Sequence, residues 1–170
     1  MKKILLIFII FFNFEHSAAD NKIAYIDIDY ILNNSIVGKT ITDHIQKIKE
    51  KKDKELESIE KQLSEKENDI AKQKNIIEKS DFEKKIENLK KEINEYRKKK
   101  ILAKKDINKK KLDYTKKVLV VLDPIISKYV EDNSINIFFP KKNIIIAKKN
   151  LDITNSIMDL LNKQLVKIDF

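Results

Sequence analysis

The sequence predicts an α+β fold: a small β-containing body from which a long antiparallel helical hairpin, a coiled coil by its spacing, protrudes. Three observations predict it. The stretch from Lys39 to Lys117 holds no glycine or proline, lies between Gly38 and Pro124, and is dominated by lysine and glutamate. Its apolar residues recur at alternating spacings of three and four, the period of a coiled-coil seam. The remaining apolar residues gather at the two ends of the chain. A globular chain of 170 residues would need several core-facing elements in its middle, and here the middle supplies one narrow stripe. A modest core plus an extended element follows, and so small a core gains by sharing burial between subunits.

The N-terminus reads as an export signal over residues 1–19. Lys2 and Lys3 give the positive start, Ile4 to Phe12 the apolar core, and Ser17-Ala18-Ala19 the small residues before a cut after Ala19. The apolar run is too short to span a bilayer comfortably. Residues 20–38 form the first part of the body. Lys22 to Ile28 reads as a strand, with Ile23 and Tyr25 on one side and Ala24, Ile26 and Ile28 on the other. Asp29 is the expected cap of a short turn through Tyr30, Ile31 and Leu32, weakened by Asn33-Asn34-Ser35. Gly38 is the expected joint into the arm.

The arm spans 39–122. Its outgoing stripe is Ile41, Ile45, Ile48, Leu56, Ile59, Leu63, Ile70 and Ile77, with Lys52, Lys66 and Gln73 as polar seam positions. Polar seam residues cost stability and fix register. A turn is expected near 78–81. There Ser80-Asp81-Phe82-Glu83 has the form of a capping box, with Ser80 accepting from the amide of Glu83 and Glu83 reaching back. The returning stripe is Phe82, Ile86, Leu89, Ile93, Tyr96, Ala103, Ile107, Tyr114, Val118 and Val121. Each leg of about forty residues would reach roughly 60 Å. One unbroken helix is the competing structure. The capping box, and the need to bring Val118–Val121 back to the first strand, favour the hairpin.

Residues 123–170 form the second part of the body. Asp123-Pro124 either kinks the returning helix or starts a new one. Ile135–Phe139 and Asn143–Ala147 read as a β-hairpin with a basic tip at Pro140-Lys141-Lys142, which with the first strand would make three strands. Asp152 or Thr154 then caps a helix with Ile157, Leu160, Leu161 and Leu165 on one face.

Catalysis has no visible home. There is no cysteine. His44 lies on the arm and His16 in the signal, so no histidine pair can serve a metal or acid–base work. One glycine cannot build a phosphate loop. No enzyme activity and no cofactor is expected. The charge is more informative. From Lys39 to Glu95, 15 basic and 15 acidic residues cancel; from Arg97 to Lys117, 11 basic residues face only Asp106 and Asp113. The whole net charge of +9 therefore equals the excess on one run. Its candidate binding residues are Arg97, Lys98, Lys99, Lys100, Lys104, Lys105, Lys109 and Lys110. Such a run suits an anionic partner, or is a solvated face. Nucleic acid is not an expected physiological partner of an exported chain.

The order of strand, short helix, long charged hairpin, helix, β-hairpin and final helix resembles the Skp/OmpH family of periplasmic chaperones. Lys22-Ile23-Ala24-Tyr25-Ile26-Asp27, Gly38-Lys39 and Asp152-Ile153-Thr154 carry the resemblance. It implies a homotrimer in the periplasm, with strands of three subunits forming a central body and three arms enclosing a cavity. Unfolded outer-membrane proteins would be held there without ATP. Ile23, Tyr25, Ile26, Ile135, Ile137, Phe139, Ile144 and Ile146 are then the expected body and oligomer contacts. Anionic lipid or lipopolysaccharide is a further candidate partner of the basic run. The alternatives are an envelope tether, with the arm as spacer, and an anionic-lipid or nucleic-acid binder acting through 97–117.

Overall fold

The computed structural model describes residues 22–170. The export signal and Asp20 lie outside the described residues. The elements are β1 (Lys22–Ile26), α1 (Ile28–Asn34), α2 (Ile36–Gln73), α3 (Lys79–Asp132), β2 (Ile135–Pro140) and α4 (Thr154–Gln164), with short 3-10 turns at Lys141–Asn143 and Lys149–Leu151. The α+β class and the protruding hairpin are as the sequence predicts.

The arm is α2 packed against the first two-thirds of α3. The 38 residues of α2 extend about 57 Å. Four contacts fix an antiparallel register. Lys52 pairs with Asp106 at 3.4 Å, the Tyr96 hydroxyl donates to Glu60 Oε2 at 2.8 Å, Lys66 pairs with Glu92, and Lys85 donates to Gln73 Oε1, the last two at 2.6 Å. Partners fall in number along α3 as they rise along α2. Most residues of both predicted stripes are at least half-buried, with Leu89 and Tyr114 buried outright, whereas Lys66 stays exposed.

The turn lies at 74–78, ahead of the predicted 78–81. Ser80 sits inside the first turn of α3 and Glu83 just past it. The N-cap is Glu78, and no side chain bonds to the free amides there. Backbone bonds from Asp81 and Phe82 N–H to the Glu78 carbonyl start the helix two residues before the capping box would. Lys79 can pair with Glu83 at 3.9 Å instead.

Gly38 is not a joint. It is the third residue of α2, and its N–H donates to Ser35 Oγ at 3.1 Å. Ser35 ends α1, begins α2 and is fully buried. A Cβ on Gly38 would stand 2.1 Å from the Leu32 carbonyl oxygen. Glycine therefore lets α1 and α2 meet at a sharp corner. The cap of α1 is Asp27 rather than Asp29: Asp27 Oδ1 accepts from the Tyr30 N–H at 2.9 Å. The strand ends at Ile26, so the helix starts two residues earlier than the sequence suggests.

No new helix begins at Asp123-Pro124. Helix α3 runs unbroken to Asp132 with Pro124 inside it. The ring leaves the Val120 carbonyl without its intrahelical donor. Burial of Leu122, Ile125 and Ile126 on either side of the proline holds the helix together regardless.

The sheet departs most from expectation. Among the described residues it has two strands, and β1 pairs with β2 in parallel, Ala24 opposite Phe138 and Tyr25 opposite Phe139. Residues 143–147 form no strand among the described residues, and Ile145 and Ile146 are 99% and 90% exposed. The hairpin fails because the 3-10 turn at Lys141–Asn143 carries the chain away from β2. In its place Asp152 forms an isolated bridge to Tyr25, and the Ile153 N–H donates to the Tyr25 carbonyl at 3.0 Å. The whole arm is thus the crossover between two parallel strands.

The core forms where both chain ends meet the arm root. Ile26, Ile31, Val37, Val118, Leu122, Ile157 and Leu161 are almost wholly buried in one cluster. Each contributes about 1.5–3 kcal/mol of hydrophobic stabilisation. A polar knot joins three elements beside it. The Asp27 N–H donates to Thr154 Oγ1, the Thr154 N–H donates to Asp152 Oδ1, both at 2.9 Å, and Lys141 pairs with Asp27 at 3.1 Å.

Candidate functional site

The basic run occupies the body-side half of the arm's returning leg, and its chemistry follows from helical geometry. Arg97, Lys98, Lys99, Lys100, Lys104, Lys105 and Lys109 are exposed, and Lys110 is half-buried toward the seam. Among the described residues, no lysine or arginine of 97–117 enters an ion pair; only Asp106 of that run does, with Lys52 of α2. The balanced part of the arm differs, with Lys66–Glu92, Lys72–Asp69, Lys84–Asp81 and Lys91–Glu87 all paired. The excess positive charge therefore stands free toward solvent.

The charge is interleaved with apolar side chains. Ile101, Leu102 and Leu112 are 67%, 63% and 53% exposed. At about 100° per residue, Lys98, Ile101, Lys105, Leu112, Lys116 and Leu119 fall on one stripe, opposite the residues that reach α2. The lysine stems add apolar surface of their own. The signal for this second stripe is present in the sequence as another series at spacings of three and four. It escapes notice when only the seam is followed. Leu102 and Lys99 stand on the flank, in a shallow cleft with Lys52, Leu56 and Asp106. Lys100 Nζ lies 5.9 Å from the Tyr96 ring centroid, a cation–π contact along the leg. The basic residues line the leg and converge on no pocket.

On the body, the candidate contact residues divide. Tyr25 and Ile26 are buried in the core, and Ile135 and Ile144 are half-buried. Ile23, Ile137, Phe139 and Ile146 remain exposed. Ile137, Phe138 and Phe139 thus show apolar surface on both faces of β2, whose far edge has no strand partner among the described residues.

The two shifts at the body are coupled. Asp27 is held below the usual carboxylate range, mainly by the Tyr30 N–H; burial opposes this as the next effect, and the bond and charge of Lys141 lower it further. Lys141 is raised by its bond to Asp27. In the arm, the Tyr96 phenol is raised by its bond to the Glu60 carboxylate. These are structural pairings; Asp27 and Lys141 stand on the wall of an open cleft beside Ile28 and Pro140, and Tyr96 on that of another between the legs. Among the described residues, no three His, Cys, Asp or Glu side chains are placed to hold a metal ion.

Comparison with known proteins gives a consistent answer. The model of the family described as outer membrane protein (OmpH-like) matches residues 22–161. No curated protein matches the sequence. The crystal structure of a protein from Caulobacter crescentus, described as a candidate outer membrane chaperone (OmpH-like), is similar with a TM-score of 0.79 over 95% of each chain. The two sequences share 17% identity, so that likeness shows the fold.

Proposed function

The chain belongs to the OmpH-like family of outer membrane proteins, and from that membership we propose that it is a periplasmic holdase chaperone. It binds unfolded outer-membrane proteins between helical arms and keeps them from aggregating, without ATP. One observation carries the reading: the returning leg presents unpaired lysines interleaved with large exposed apolar side chains. Such a surface makes many weak contacts with unrelated sequences and needs no shaped pocket. Several arms around one space would raise the effective concentration of those contacts, and each would still release without fuel. The basic run favours clients with negative charge, chiefly through the rate of capture.

The reading includes a homotrimer, in which strands of three copies build one body. Its support is the state of β2. Parallel strands are usually covered on both faces, and an apolar strand with an open edge invites pairing. Partner copies would cover Ile137, Phe139 and the exposed Ile145-Ile146. The tether alternative fits less well, because a hairpin returns to its own root and spans no gap.

The test is light scattering on the mature protein, alone and after dilution of a urea-unfolded outer-membrane β-barrel protein into it. The expected result is a mass three times that of one chain and suppressed aggregation of the barrel protein. A monomer that leaves aggregation unchanged defeats the proposal.

A further inference from the structure

At the arm root, residues beyond the family-matched 22–161 fold back against the hairpin. After α4 the backbone is extended at Leu165 and bends at Val166, with no helix or strand beyond it. Leu165 and Ile168 pack at the margin of the core, while Lys167 and Asp169 point to solvent. The Phe170 ring then stacks on His44 of α2, centroids 3.9 Å apart and planes 10° from parallel. It meets Tyr114 of α3 edge-on at 5.2 Å, and His44 and Tyr114 themselves meet at 5.7 Å. Two aromatic walls, one from each leg, thus form a notch that holds one ring.

The hold is light. Phe170 is 50% exposed and Val166 55% exposed. Among the described residues one side-chain bond fastens the segment, from Lys117 Nζ to the Asp169 carbonyl at 2.8 Å, and no backbone–backbone bond involves residues 166–170. The segment Val166-Lys167-Ile168-Asp169-Phe170 alternates apolar and polar side chains. Strands of outer-membrane barrels alternate in the same way.

We propose that the His44–Tyr114 notch is a subsite for one aromatic side chain of an unfolded polypeptide with alternating sequence, and that residues 165–170 fill it in cis until a client segment displaces them. This rests on the holdase reading for the identity of the client. The tail is a stand-in for that client: outside helix and strand, alternating in sequence and aromatic. Lys117 supplies a donor for a backbone carbonyl, so recognition needs the ring and a neighbouring carbonyl but no particular sequence. Binding in cis competes at an effective concentration on the order of millimolar, so an incoming segment must arrive with several contacts at once.

The experiment uses the full mature chain and a fluorescent, amide-ended peptide copying residues 164–170. Phe170→Ala empties the notch and should bind the peptide roughly tenfold more tightly than the unaltered chain, as expected when a cis competitor is removed. Ile168→Ser, which keeps Phe170 and the notch but loosens the tail from the core margin, should shift affinity the same way by less. Adding His44→Ala to Phe170→Ala should remove the gain. Equal affinity in the unaltered and Phe170→Ala chains, or no effect of His44→Ala, overturns the proposal. Aggregation suppression is measured on the same samples. If suppression is normal and peptide binding is unmoved, the notch is wrong and the holdase reading stands. If no form suppresses aggregation, the holdase reading fails, and peptide affinity still decides whether the notch binds.

Discussion

Replacing Gly38 by alanine sets two opposed effects against each other, and the corner between α1 and α2 decides the winner. In a helix interior, alanine is favoured over glycine by about 1 kcal/mol, and it also lowers the entropy of the unfolded chain. On propensity alone, Gly38→Ala should stabilise. The structure predicts the reverse. The new methyl would lie 2.1 Å from the Leu32 oxygen, 2.8 Å from the Leu32 carbonyl carbon and 3.0 Å from Ser35 Oγ. The obstacle is backbone, so no rotamer relieves it, and α1 must move off by about 1 Å. Ile31 and Val37, both fully buried, flank the corner and lose contact as it opens. Overpacking of this kind costs about 1–3 kcal/mol, and a strained Ser35 cap adds up to about 1 more. Against the propensity gain, the net expectation is a loss of about 2 kcal/mol. Urea unfolding followed by helical circular dichroism, at one fixed protein concentration, measures it. Lys49→Ala, exposed on the same helix, is the control and should stay within about 0.5 kcal/mol of the unaltered chain. A Gly38→Ala chain as stable as the parent, or more so, would show that α1 does not meet α2 as described.

Three further outcomes are expected. Changing Lys98, Lys99, Lys100, Lys104 and Lys105 to Glu should slow capture of an unfolded barrel protein and abolish its salt dependence in stopped-flow mixing; unchanged kinetics would mean the run is merely a solvated face. Asp27, with its lowered pKa, contributes stability that is present above the ordinary carboxylate range and is lost as pH falls through the lowered value. Lys141, raised by the same pair, contributes stability below its ordinary range that is lost as pH rises through the raised value. Asp27→Asn should therefore flatten both the acid and the alkaline limbs of a thermal-stability profile, and a profile that keeps its shape would exclude the pair as a contributor. Ser134 joins α3 to β2 with φ at 53°, a left-handed conformation costing roughly 1 kcal/mol for a residue with a side chain. Ser134→Gly should raise the melting temperature, and a lower one would contradict that turn.

The arm was the legible part of this molecule, because a coiled-coil seam is written locally. Ile41, Leu56, Leu89 and Tyr114 mark it by spacing alone. The turn was misplaced because Ser80 and Glu83 match a capping pattern, while the helix actually starts on backbone bonds to Glu78. The sheet was harder for a physical reason. Ile144 to Ile146 is as β-branched as β2, yet pairing depends on what lies alongside, and β1 sits opposite β2 from the far end of the chain. The notch was invisible for the same reason: His44, Tyr114 and Phe170 share no motif and meet only through folding. The basic run and its companion stripe of Ile101, Leu112 and Leu119 can be counted from the sequence, but the run's unpaired state requires the register of α2 on α3.

The crossover topology also governs the order of assembly. Lys22 bonds to Asn136, 114 residues away, so the first strand has no sheet partner until nearly all of the chain is available. A loop of that length is costly to close as a random coil. If the two legs zip first, turn by turn from residues 74–78, every contact they add is short-range relative to the last one, and the zipper delivers the two strands side by side at its base. The coiled coil is then a folding scaffold before it is an arm. Polar seam positions such as Lys52 and Gln73, which weaken the finished hairpin, would earn their place by preventing the legs from locking in a shifted register that could never bring β1 to β2.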